Sequence, residues 1–459
     1  MPKKSKNKSV AHQGEMPQPV PSNAQESLQF PGYTTPSLDI LDRSDPSGTP
    51  PADKNELIEI QETIISTLAT FDVIVKAGDI TRGPTVTRYE VYPTTGLRIS
   101  RIAGLEPDIA RATRAERVHI IAPIPGKDSV GIEIANSKKV LVPMRELLED
   151  SAFTSSEKNI PLALGKDVYG KVIVGDLAAM PHLLVAGATG SGKSMCIHSI
   201  IASMLFRFSP DELLMVMVDP QVVEMAEYNT LPHLVLPVVT DAKRAIQTLR
   251  WVVNEMERRY RMFAKLKVRN INTFNSRPKE PKPDPVTESE VVDEEIIISI
   301  SKPLEDGELY GVDLDGDDID HEEDVPPERI PYIVVLINEL AELMENGSAD
   351  VEILIARIAR KARAAGIHLI IATQTPRATV ITGVIKANIP SRIAFQVSSG
   401  LDSRVILDAS GAEKLVGKGD MLYLPPGSAQ HLRCQGAFIS DAEVHRLVQH
   451  CSMRGPRTS

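Results

Sequence analysis

The sequence has few cysteines and no long apolar run, and each scarcity excludes a class of protein. Its 459 residues contain three cysteines, Cys196, Cys434 and Cys451, which are too scattered for a disulfide framework and lack the paired spacing of a zinc site. The longest apolar runs are short, such as 333–337, far below the roughly 18 residues of a membrane-spanning helix. No apolar segment follows the N-terminal Met-Pro-Lys-Lys-Ser-Lys, so we expect no secretory signal. These absences predict a cytoplasmic protein without a membrane span.

Acidic charge is concentrated in one stretch of the chain. The formal net charge is −10, but residues 278–330 alone hold 19 Asp and Glu against 4 Lys and Arg. The rest of the chain therefore carries a net charge of +5, which is compatible with approach to a polyanion. We predict that residues 278–330 form an acidic, disordered insertion.

The order of strand and helix patterns predicts a small α+β domain followed by a larger α/β domain. Residues 1–54 are rich in Pro, Ser, Gln, Lys and Asp, and we interpret them as a disordered tail. Helical periodicity and then short strand patterns indicate the small domain over 55–155. Later strands alternate with helices, which is typical of a mainly parallel sheet wrapped by helices. The acidic insertion divides this larger domain into 156–277 and 331–453, and a short tail, 454–459, follows.

A glycine-rich turn in the larger domain fits the phosphate-binding pattern G-x-x-x-x-G-K-[ST]. It follows an apolar strand pattern and precedes a helical pattern, as a phosphate cradle requires. Its glycines let backbone N–H groups face phosphate oxygens, and the helix that begins near Lys193 directs its positive end at the same anion. We expect Lys193 to reach the terminal phosphates and the Ser194 hydroxyl to ligate Mg²⁺. The predicted nucleotide-binding residues are Gly187, Ala188, Thr189, Gly190, Ser191, Gly192, Lys193 and Ser194.

A second strand pattern, over 332–337, ends in Asn338 and Glu339. Motors with this loop normally have Asp and then Glu here, where the Asp holds the Mg²⁺ shell and the Glu polarises the attacking water. We predict that Glu339 keeps the second role. Asn338 can keep a hydrogen bond in the metal shell but lacks the charge that draws a cation, which predicts weaker Mg²⁺ affinity. The alternative is that Asn338 simply ends a buried strand.

Further segments share a residue order known from one protein family. They are Gly83-Pro84, Arg88-Tyr89-Glu90, 122–127, 180–194, 255–260, 361–368, 385–395 and 417–421. Together they resemble the FtsK/SpoIIIE family of bacterial DNA translocases, over about 83–448 apart from 270–330. The resemblance implies a RecA-like P-loop motor with ATP bound between the subunits of a homohexameric ring and double-stranded DNA in its channel.

The resemblance also implies roles for side chains outside the loop. By position, Arg363 is similar to the arginine finger that reaches the γ-phosphate held by a neighbouring subunit, a role that suits charge stabilisation in phosphoryl transfer. Gln374 is similar to the sensor beside the phosphate. Two DNA-facing cations of the family are replaced, by Thr375 and Gly400, while Arg404 and Arg377 remain as candidate DNA contacts. Fewer phosphate contacts predict a lower DNA affinity with a flatter salt dependence.

Two functions stay open at this point. The first is an ATP- and Mg²⁺-dependent translocase on double-stranded DNA in chromosome segregation or cell division, with Lys193, Glu339 and Arg363 as catalytic residues and other division or segregation proteins as further partners. The second is a ring subunit that binds nucleotide with little hydrolysis and serves as a scaffold or partner of a full-length translocase, which Asn338 and the two lost cations favour. No segment resembles the family's membrane anchor or its C-terminal winged-helix domain, so we expect neither anchoring nor sequence-directed loading.

Overall fold

Two β-sheets organise the chain in its computed structural model. The structure describes residues 30, 32–43, 54–124, 126–222, 224–278 and 326–453. The strands are β1 (Val75–Arg82), β2 (Val86–Pro93), β3 (Val118–Ile121), β4 (Val130–Ala135), β5 (Val142–Pro143), β6 (Pro161–Asp167), β7 (Val172–Asp176), β8 (His182–Ala186), β9 (Leu213–Val218), β10 (Tyr332–Ile337), β11 (Ile367–Thr373), β12 (Ser391–Phe395), β13 (Asp420–Leu424) and β14 (Leu432–Phe438). The α-helices are α1 (Lys54–Thr70), α2 (Ile99–Gly104), α3 (Glu106–Thr113), α4 (Met144–Glu149), α5 (Ser151–Thr154), α6 (Lys193–Leu205), α7 (Ala242–Lys265), α8 (Ile271–Asn275), α9 (Leu340–Lys361), α10 (Gly383–Asn388), α11 (Gly400–Leu407) and α12 (Asp441–Ser452).

The small domain is an antiparallel sheet, in the order β1-β2-β4-β3, covered by α1, α2 and α3. Its core joins Ile64 and Leu68 of α1 to Tyr89, Val91 and Ile132 of the sheet. Because these apolar side chains recur at helical spacing on α1 and at alternate positions on the strands, one face of each element is buried. This is the small α+β domain that the sequence predicts.

The larger sheet is parallel at one end and antiparallel at the other. Its strand order is β7-β6-β14-β13-β12-β8-β11-β10-β9, with β5 paired to β14. Strands β9, β10, β11, β8 and β12 are parallel, as expected, and apolar cores cover both faces of the sheet. Because β8 lies between β11 and β12, the loop after β8 emerges among the carboxyl ends of parallel strands, where α/β proteins bind ligands.

Four antiparallel strands, β13, β14, β6 and β7, extend this sheet, and the sequence did not predict them. Polar residues interrupt their apolar pattern, which hides the strands from a reading of hydrophobicity. Arg433 of β14, for example, is 6% exposed and forms ion pairs with Asp420 of β13 and with Glu133 of the small domain, both at 2.7 Å. The carboxylate of Glu133 also pairs with Arg88 at 2.6 Å. A buried charge network therefore joins the two domains.

The small domain ends earlier than the predicted residue 155. Helices α4 and α5 bury Met144, Leu147 and Phe153 in the core of the larger domain, and β5 pairs with β14 of the larger sheet. The prediction of a small domain over 55–155 is therefore wrong at its carboxyl end. An amphipathic helix has the same apolar pattern whichever sheet it covers, so the sequence gives no signal for this boundary.

Part of the predicted tail is packed against the larger domain. Leu41 is 2% exposed, the amide of Asp42 donates to Glu443 at 3.0 Å, and Arg446 donates to the carbonyl oxygen of Ile40 at 2.9 Å. The prediction of disorder over 1–54 is wrong for 32–43, because a few apolar residues and hydrogen bonds anchor a segment too short to show periodicity. Residues 1–29 and 44–53 lie outside the described residues.

The acidic insertion lies largely outside the described residues, which resume at residue 326. Inside the predicted range, Ile330 is 4% exposed and packs with Phe263, Ile271 and Phe274. The insertion therefore ends before residue 330, earlier than predicted. The tail predicted over 454–459 also lies outside the described residues.

The three cysteines are buried and unpaired. Burial raises the pKa of the Cys196 thiol to about 12, so this group stays protonated near neutral pH. Among the described residues, no helix combines the length and the apolar content that a membrane span requires.

Two buried histidines lie at the amino-terminal edge of the parallel strands. The Nε2–H group of His182 donates to the carbonyl oxygen of Ala359 at 3.1 Å, and its Nδ1 accepts from the amide of Leu369 at 3.0 Å. His368 donates from Nδ1–H to the carbonyl oxygen of Pro181 at 2.9 Å. Burial lowers the pKa of His182 to about 3 and that of His368 to about 4. Both rings are therefore neutral at pH 7, and His182 has no free nitrogen for a second proton.

We expect acid to destabilise the fold through these histidines. Below a pH of about 6.5 both histidines take up a proton in the unfolded chain and not in the folded chain, so stability falls as the pH drops from 6.5 toward 4. At about 1.4 kcal/mol per pH unit and proton, each histidine would remove about 2 kcal/mol between pH 6.5 and 5. Urea midpoints at pH 7.5 and 5.0 measure the loss. His182→Gln should reduce the pH dependence, whereas the exposed His445→Gln should not; equal pH dependence in all three proteins would contradict the assignment.

Candidate nucleotide site

The loop between β8 and α6 forms a cradle that accepts only glycine at two points. Gly192 has a φ of +115°, and a Cβ there would lie 2.5 Å from the amide nitrogen of Gly419. A Cβ on Gly187 would lie 2.6 Å from the Cβ of Phe395. Left-handed backbone and close approach of a neighbouring strand both exclude larger residues. The sequence GATGSGKS therefore folds locally as the predicted phosphate loop.

Several features of this loop fit an anionic ligand. Helix α6 begins at Lys193, so the N–H groups of its first turn have no partner within the helix. The hydroxyl of Ser191 has no hydrogen-bond partner among the described residues, although the residue is only 2% exposed. An unpartnered buried donor, a helix amino terminus and a glycine cradle suit phosphate oxygens. The chemistry of this group therefore fits the phosphates of ATP.

Lys193 lies between the loop and the end of β10. Its side chain is buried, and its Nζ donates to the backbone oxygen of Asn338 at 3.1 Å and to Asn338 Oδ1 at 3.4 Å. The amide group of Asn338 donates in turn to Oδ1 of Asp219, at the end of β9, at 3.2 Å. Asn338 thus bridges a cation and a carboxylate in a fully buried position. Its role as a metal residue stays a prediction.

Glu339 is fixed by contacts with the end of β11. Its Oε1 accepts from the Thr373 hydroxyl at 2.5 Å and from the Ala341 amide at 3.2 Å, while Oε2 accepts from the Gln374 amide at 2.9 Å. The side chain of Gln374 accepts from the hydroxyl of Thr189 in the phosphate loop at 2.7 Å. The structure therefore brings together the predicted water-activating residue, the predicted sensor and the loop.

Ser194 faces an acidic residue that the sequence analysis did not select. Its hydroxyl donates to Oε1 of Glu224 at 2.5 Å. A second carboxylate, that of Asp219, lies next to this loop. Its Oδ2 accepts from the backbone amides of Glu224 and Met225, at 3.1 and 3.0 Å. Oxygen donors of this kind are those that Mg²⁺ prefers, so the residues present fit this ion. The only sequence signal was that Asp219 directly follows the apolar strand pattern over 213–218.

Arg363 lies far from this group of residues. It is exposed and lies between α9 and β11, at the amino-terminal edge of the parallel strands. The site lies at the opposite edge, where Gln374 follows β11. The seven residues of β11 separate the two edges by about 20 Å at ~3.3 Å per residue. Arg363 is therefore not part of the site within its own chain.

The two predicted DNA contacts are exposed on the same edge as the phosphate loop. Arg377 lies in the segment after β11, and Arg404 lies on α11, which follows β12. Across the described part of the chain, neither guanidinium has a hydrogen-bond or ion-pair partner. Both are thus free to contact another molecule, and their assignment to DNA stays a prediction.

Two family models match this chain, one for each of its two domains. The sequence model of the FtsK/SpoIIIE family matches residues 143–378, about half of the chain, and that of the FtsK alpha domain matches residues 35–136. This chain belongs to the FtsK/SpoIIIE family. The two matches meet between β4 and β5, where the structure also divides the FtsK-type alpha domain from the motor domain.

Curated members of the family are similar over most of this chain. The DNA translocase FtsK of Clostridium tetani is 45% identical over 422 residues, which are 92% of this chain and 51% of that protein. The DNA translocase SpoIIIE of Bacillus subtilis is 46% identical over 424 residues, which are 92% of this chain and 49% of that protein. The chain spans about half the length of these relatives.

A solved structure agrees with the fold. The pCW3 conjugation coupling protein TcpA, a monomer form with ATPγS, has a TM-score of 0.51 and 22% sequence identity, and the match covers 83% of this chain and 96% of that chain. At this identity the likeness concerns the fold alone. The predicted α/β, RecA-like P-loop fold of the FtsK/SpoIIIE motor is confirmed.

The contact between Asn338 and Asp219 makes a prediction about stability. Asn338→Asp would place two carboxylates in contact, both in fully buried positions, and like charges disfavour the ionised pair. We expect a loss of about 2 kcal/mol, because the ammonium group of Lys193, 3.4 Å from Oδ1, offsets only part of the repulsion between the two buried carboxylates. The exchanged pair Asp219→Asn with Asn338→Asp keeps one amide and one carboxylate and should recover most of the loss. Thermal unfolding of the parent, the Asn338→Asp variant and the exchanged pair measures the three stabilities. An Asn338→Asp protein as stable as the parent would contradict the argument.

Proposed function

We propose that this chain is an ATP-driven motor on double-stranded DNA that acts in chromosome segregation or cell division. The observation that carries the proposal is one connected group at the carboxyl edge of the parallel sheet. It joins the phosphate loop to Lys193, Asn338, Glu339 and Gln374 through hydrogen bonds. Relatives named as DNA translocases support the same activity.

This group suits the hydrolysis of ATP to ADP and phosphate. Lys193 supplies a positive charge for the terminal phosphates, and the loop amides supply fixed donors. The carboxylate of Glu339 is held by Thr373 and Gln374, so it can orient a water molecule for attack on the γ-phosphorus. Mg²⁺, when bound, neutralises phosphate charge, and Ser194 on the first turn of α6 would help to hold it.

We propose a homohexameric ring in which Arg363 acts on the nucleotide of a neighbouring subunit. The argument is the position of Arg363 at the edge opposite its own phosphate loop, where it is exposed and cannot reach the γ-phosphate of the same chain. A neighbour that presents its amino-terminal edge to this loop would supply the missing positive charge. Such a guanidinium stabilises the charge that develops during phosphoryl transfer.

We propose that double-stranded DNA contacts the surface that carries Arg377 and Arg404. Both residues are exposed cations on segments that follow strands next to β8, so DNA contact and the nucleotide would share one edge of the sheet. Movement of these segments with the nucleotide state would link hydrolysis to DNA. We place this activity in the cytoplasm, with other division or segregation proteins as further partners.

The second candidate function is a ring subunit that binds nucleotide but hydrolyses little of it. The favouring observation is Asn338, whose side chain contacts Lys193 and Asp219 rather than the hydroxyl of Ser194. A carboxylate at this position would attract the cation more strongly. In this alternative the ring is a scaffold or partner of a full-length translocase.

ATP turnover of the purified chain, with and without duplex DNA, separates the two functions. A motor should show turnover that rises with DNA and that Glu339→Gln removes, because the amide cannot act on the water as the carboxylate does. Nucleotide binding without turnover, in the presence and absence of DNA, would support the scaffold instead.

The DNA contacts predict the effect of restoring two cations. Thr375→Arg with Gly400→Lys should tighten binding to duplexes of unrelated sequence about equally, because phosphate contacts do not read bases. Each new contact should steepen the slope of log affinity against log salt by roughly one unit.

Position 400 has room for a side chain, since the nearest atoms to a Cβ there are those of the Glu413 carboxylate at 3.6 Å. Because Glu413 would partly neutralise a new lysine, Glu413→Gln in the double variant should enlarge the effect. An unchanged slope and affinity would place DNA elsewhere.

A further inference from the structure

The loop after β9 holds Glu224 against the phosphate loop. The contact between Glu224 Oε1 and the Ser194 hydroxyl joins two residues that are 30 positions apart. The other carboxylate oxygen of Glu224, Oε2, is shielded from solvent and has no hydrogen-bond partner among the described residues. A shielded carboxylate oxygen without a donor is unfavourable unless a cation or a water occupies the space beside it.

The other acidic and amide groups nearby are already committed. Asp219 Oδ1 accepts from the Asn338 amide, and Oδ2 accepts from the amides of Glu224 and Met225. Asn338 Oδ1 accepts from Lys193. Neither Asp219 nor Asn338 has a hydrogen bond to Ser194 in the described structure. Glu224 is thus the charged side chain that contacts the hydroxyl expected to ligate Mg²⁺.

The backbone of this loop is strained in the position that presents Glu224. Val222 has a φ of +59° and is 58% exposed, an unfavourable conformation for a β-branched residue that gains no burial. The loop is fixed on both sides of Val222, by the Asp219 carboxylate and by a hydrogen bond of 3.0 Å from Gln221 Nε2 to Glu342. Strain of this kind persists where the surrounding structure enforces it, and it concentrates at functional sites.

We propose that Glu224 supplies the negative charge that Asn338 lacks and positions Mg²⁺ at the nucleotide site together with Ser194. A serine hydroxyl that gives its lone pair to a cation still carries a proton that needs an acceptor, and Glu224 Oε1 is in place to accept it. The free Oε2 then provides charge for the ion, directly or through water. This inference rests on the proposed nucleotide function of the loop.

The test measures how the binding of ATPγS depends on Mg²⁺, without any turnover. The affinity of the full chain for ATPγS is measured by calorimetry in EDTA and at a series of free Mg²⁺ concentrations. The variants are Glu224→Gln, which keeps an acceptor for Ser194 but removes the charge, and Glu224→Ala, which removes both. Glu227→Gln is the matched control, because it removes the same charge from an exposed position three residues further on.

We expect both Glu224 variants to raise the Mg²⁺ concentration for half-maximal enhancement by at least about tenfold, as loss of a metal-positioning partner does. Their affinity in EDTA should stay within about twofold of the parent, and Glu227→Gln should match the parent throughout. A Glu224→Gln protein with the parent's Mg²⁺ dependence would show that Glu224 only holds the Ser194 hydroxyl. If the Glu224 variants lost as much affinity for ATPγS in EDTA as with Mg²⁺, the role of Glu224 would be structural. That result would overturn the inference as well.

The same data separate failure of this inference from failure of the proposed function. If the parent chain binds no ATPγS under either condition, the nucleotide site itself is wrong. If the parent binds ATPγS and Mg²⁺ strengthens that binding, while the Glu224 variants respond like the parent, only the role of Glu224 is wrong. A parent that binds ATPγS equally well with and without Mg²⁺ also overturns the role of Glu224.

Discussion

Replacing Lys193 with alanine should reduce the affinity for ATP by at least about 100-fold. The side chain is 3% exposed, and its ammonium group is the cation of the phosphate loop that lies inside the site. Its loss would remove charge-assisted hydrogen bonds to phosphate oxygens, each worth about 1.5–3 kcal/mol, and about 1.4 kcal/mol changes an affinity tenfold. Equilibrium binding of labelled ATP measures the loss.

Lys171→Ala is the control for this experiment. Lys171 is an exposed lysine on the turn between β6 and β7, outside the carboxyl edge that holds the site. The control should bind ATP like the parent. If Lys193→Ala also binds like the parent, while circular dichroism shows that it is folded, phosphates do not occupy the loop.

Replacing Arg363 with alanine should lower ATP turnover by about 10³-fold or more and leave ATP binding within a few-fold of the parent. An arginine that stabilises the transferring phosphoryl group in trans contributes on this scale. The substitution should be tolerated, because Arg363 is exposed and the contacts that fix this corner come from Arg259, which donates to the backbone oxygens of Pro331 and Ala365. Arg360→Ala, on the last turn of α9, is the matched control and should retain turnover.

Mixing two inactive variants provides the sharper measurement. A subunit with Lys193→Ala still offers Arg363, and a subunit with Arg363→Ala still offers an intact phosphate loop. Where these meet in the correct order, one complete site forms between them, so the mixture should recover part of the turnover that neither variant has alone. Two variants that stay inactive in every proportion would indicate that Arg363 does not act across subunits.

The features that the sequence predicts well are those whose residues are contiguous. Eight consecutive residues form the phosphate loop, and Asn338 and Glu339 directly follow a single strand. The local residue pattern is therefore enough to predict both features. Contacts between distant segments could not be predicted in the same way. Gln374 meets Thr189 across 185 positions, and Glu224 meets Ser194 across 30, and no local pattern records either approach.

The errors in the sequence analysis have a common physical origin. The antiparallel strands carry buried charges such as Arg433, whose partners come from another strand and from another domain. Leu41 anchors a segment that composition alone indicates to be disordered. In each case tertiary partners stabilise residues that a one-dimensional pattern assigns to solvent.

The placement of the phosphate loop and Arg363 on opposite edges of the sheet limits the symmetry of any active assembly. A two-fold dimer joins the same patch of both copies, so it completes sites only where that one patch spans both edges, about 20 Å apart. With Arg363 acting across subunits as proposed, a site is also completed where the unlike edges of two copies meet head to tail, which is a heterologous contact. Such a contact either closes into a ring or continues as a helical filament. In a closed ring each subunit both receives and donates an arginine, so the number of complete sites equals the number of subunits and no end is left without a partner.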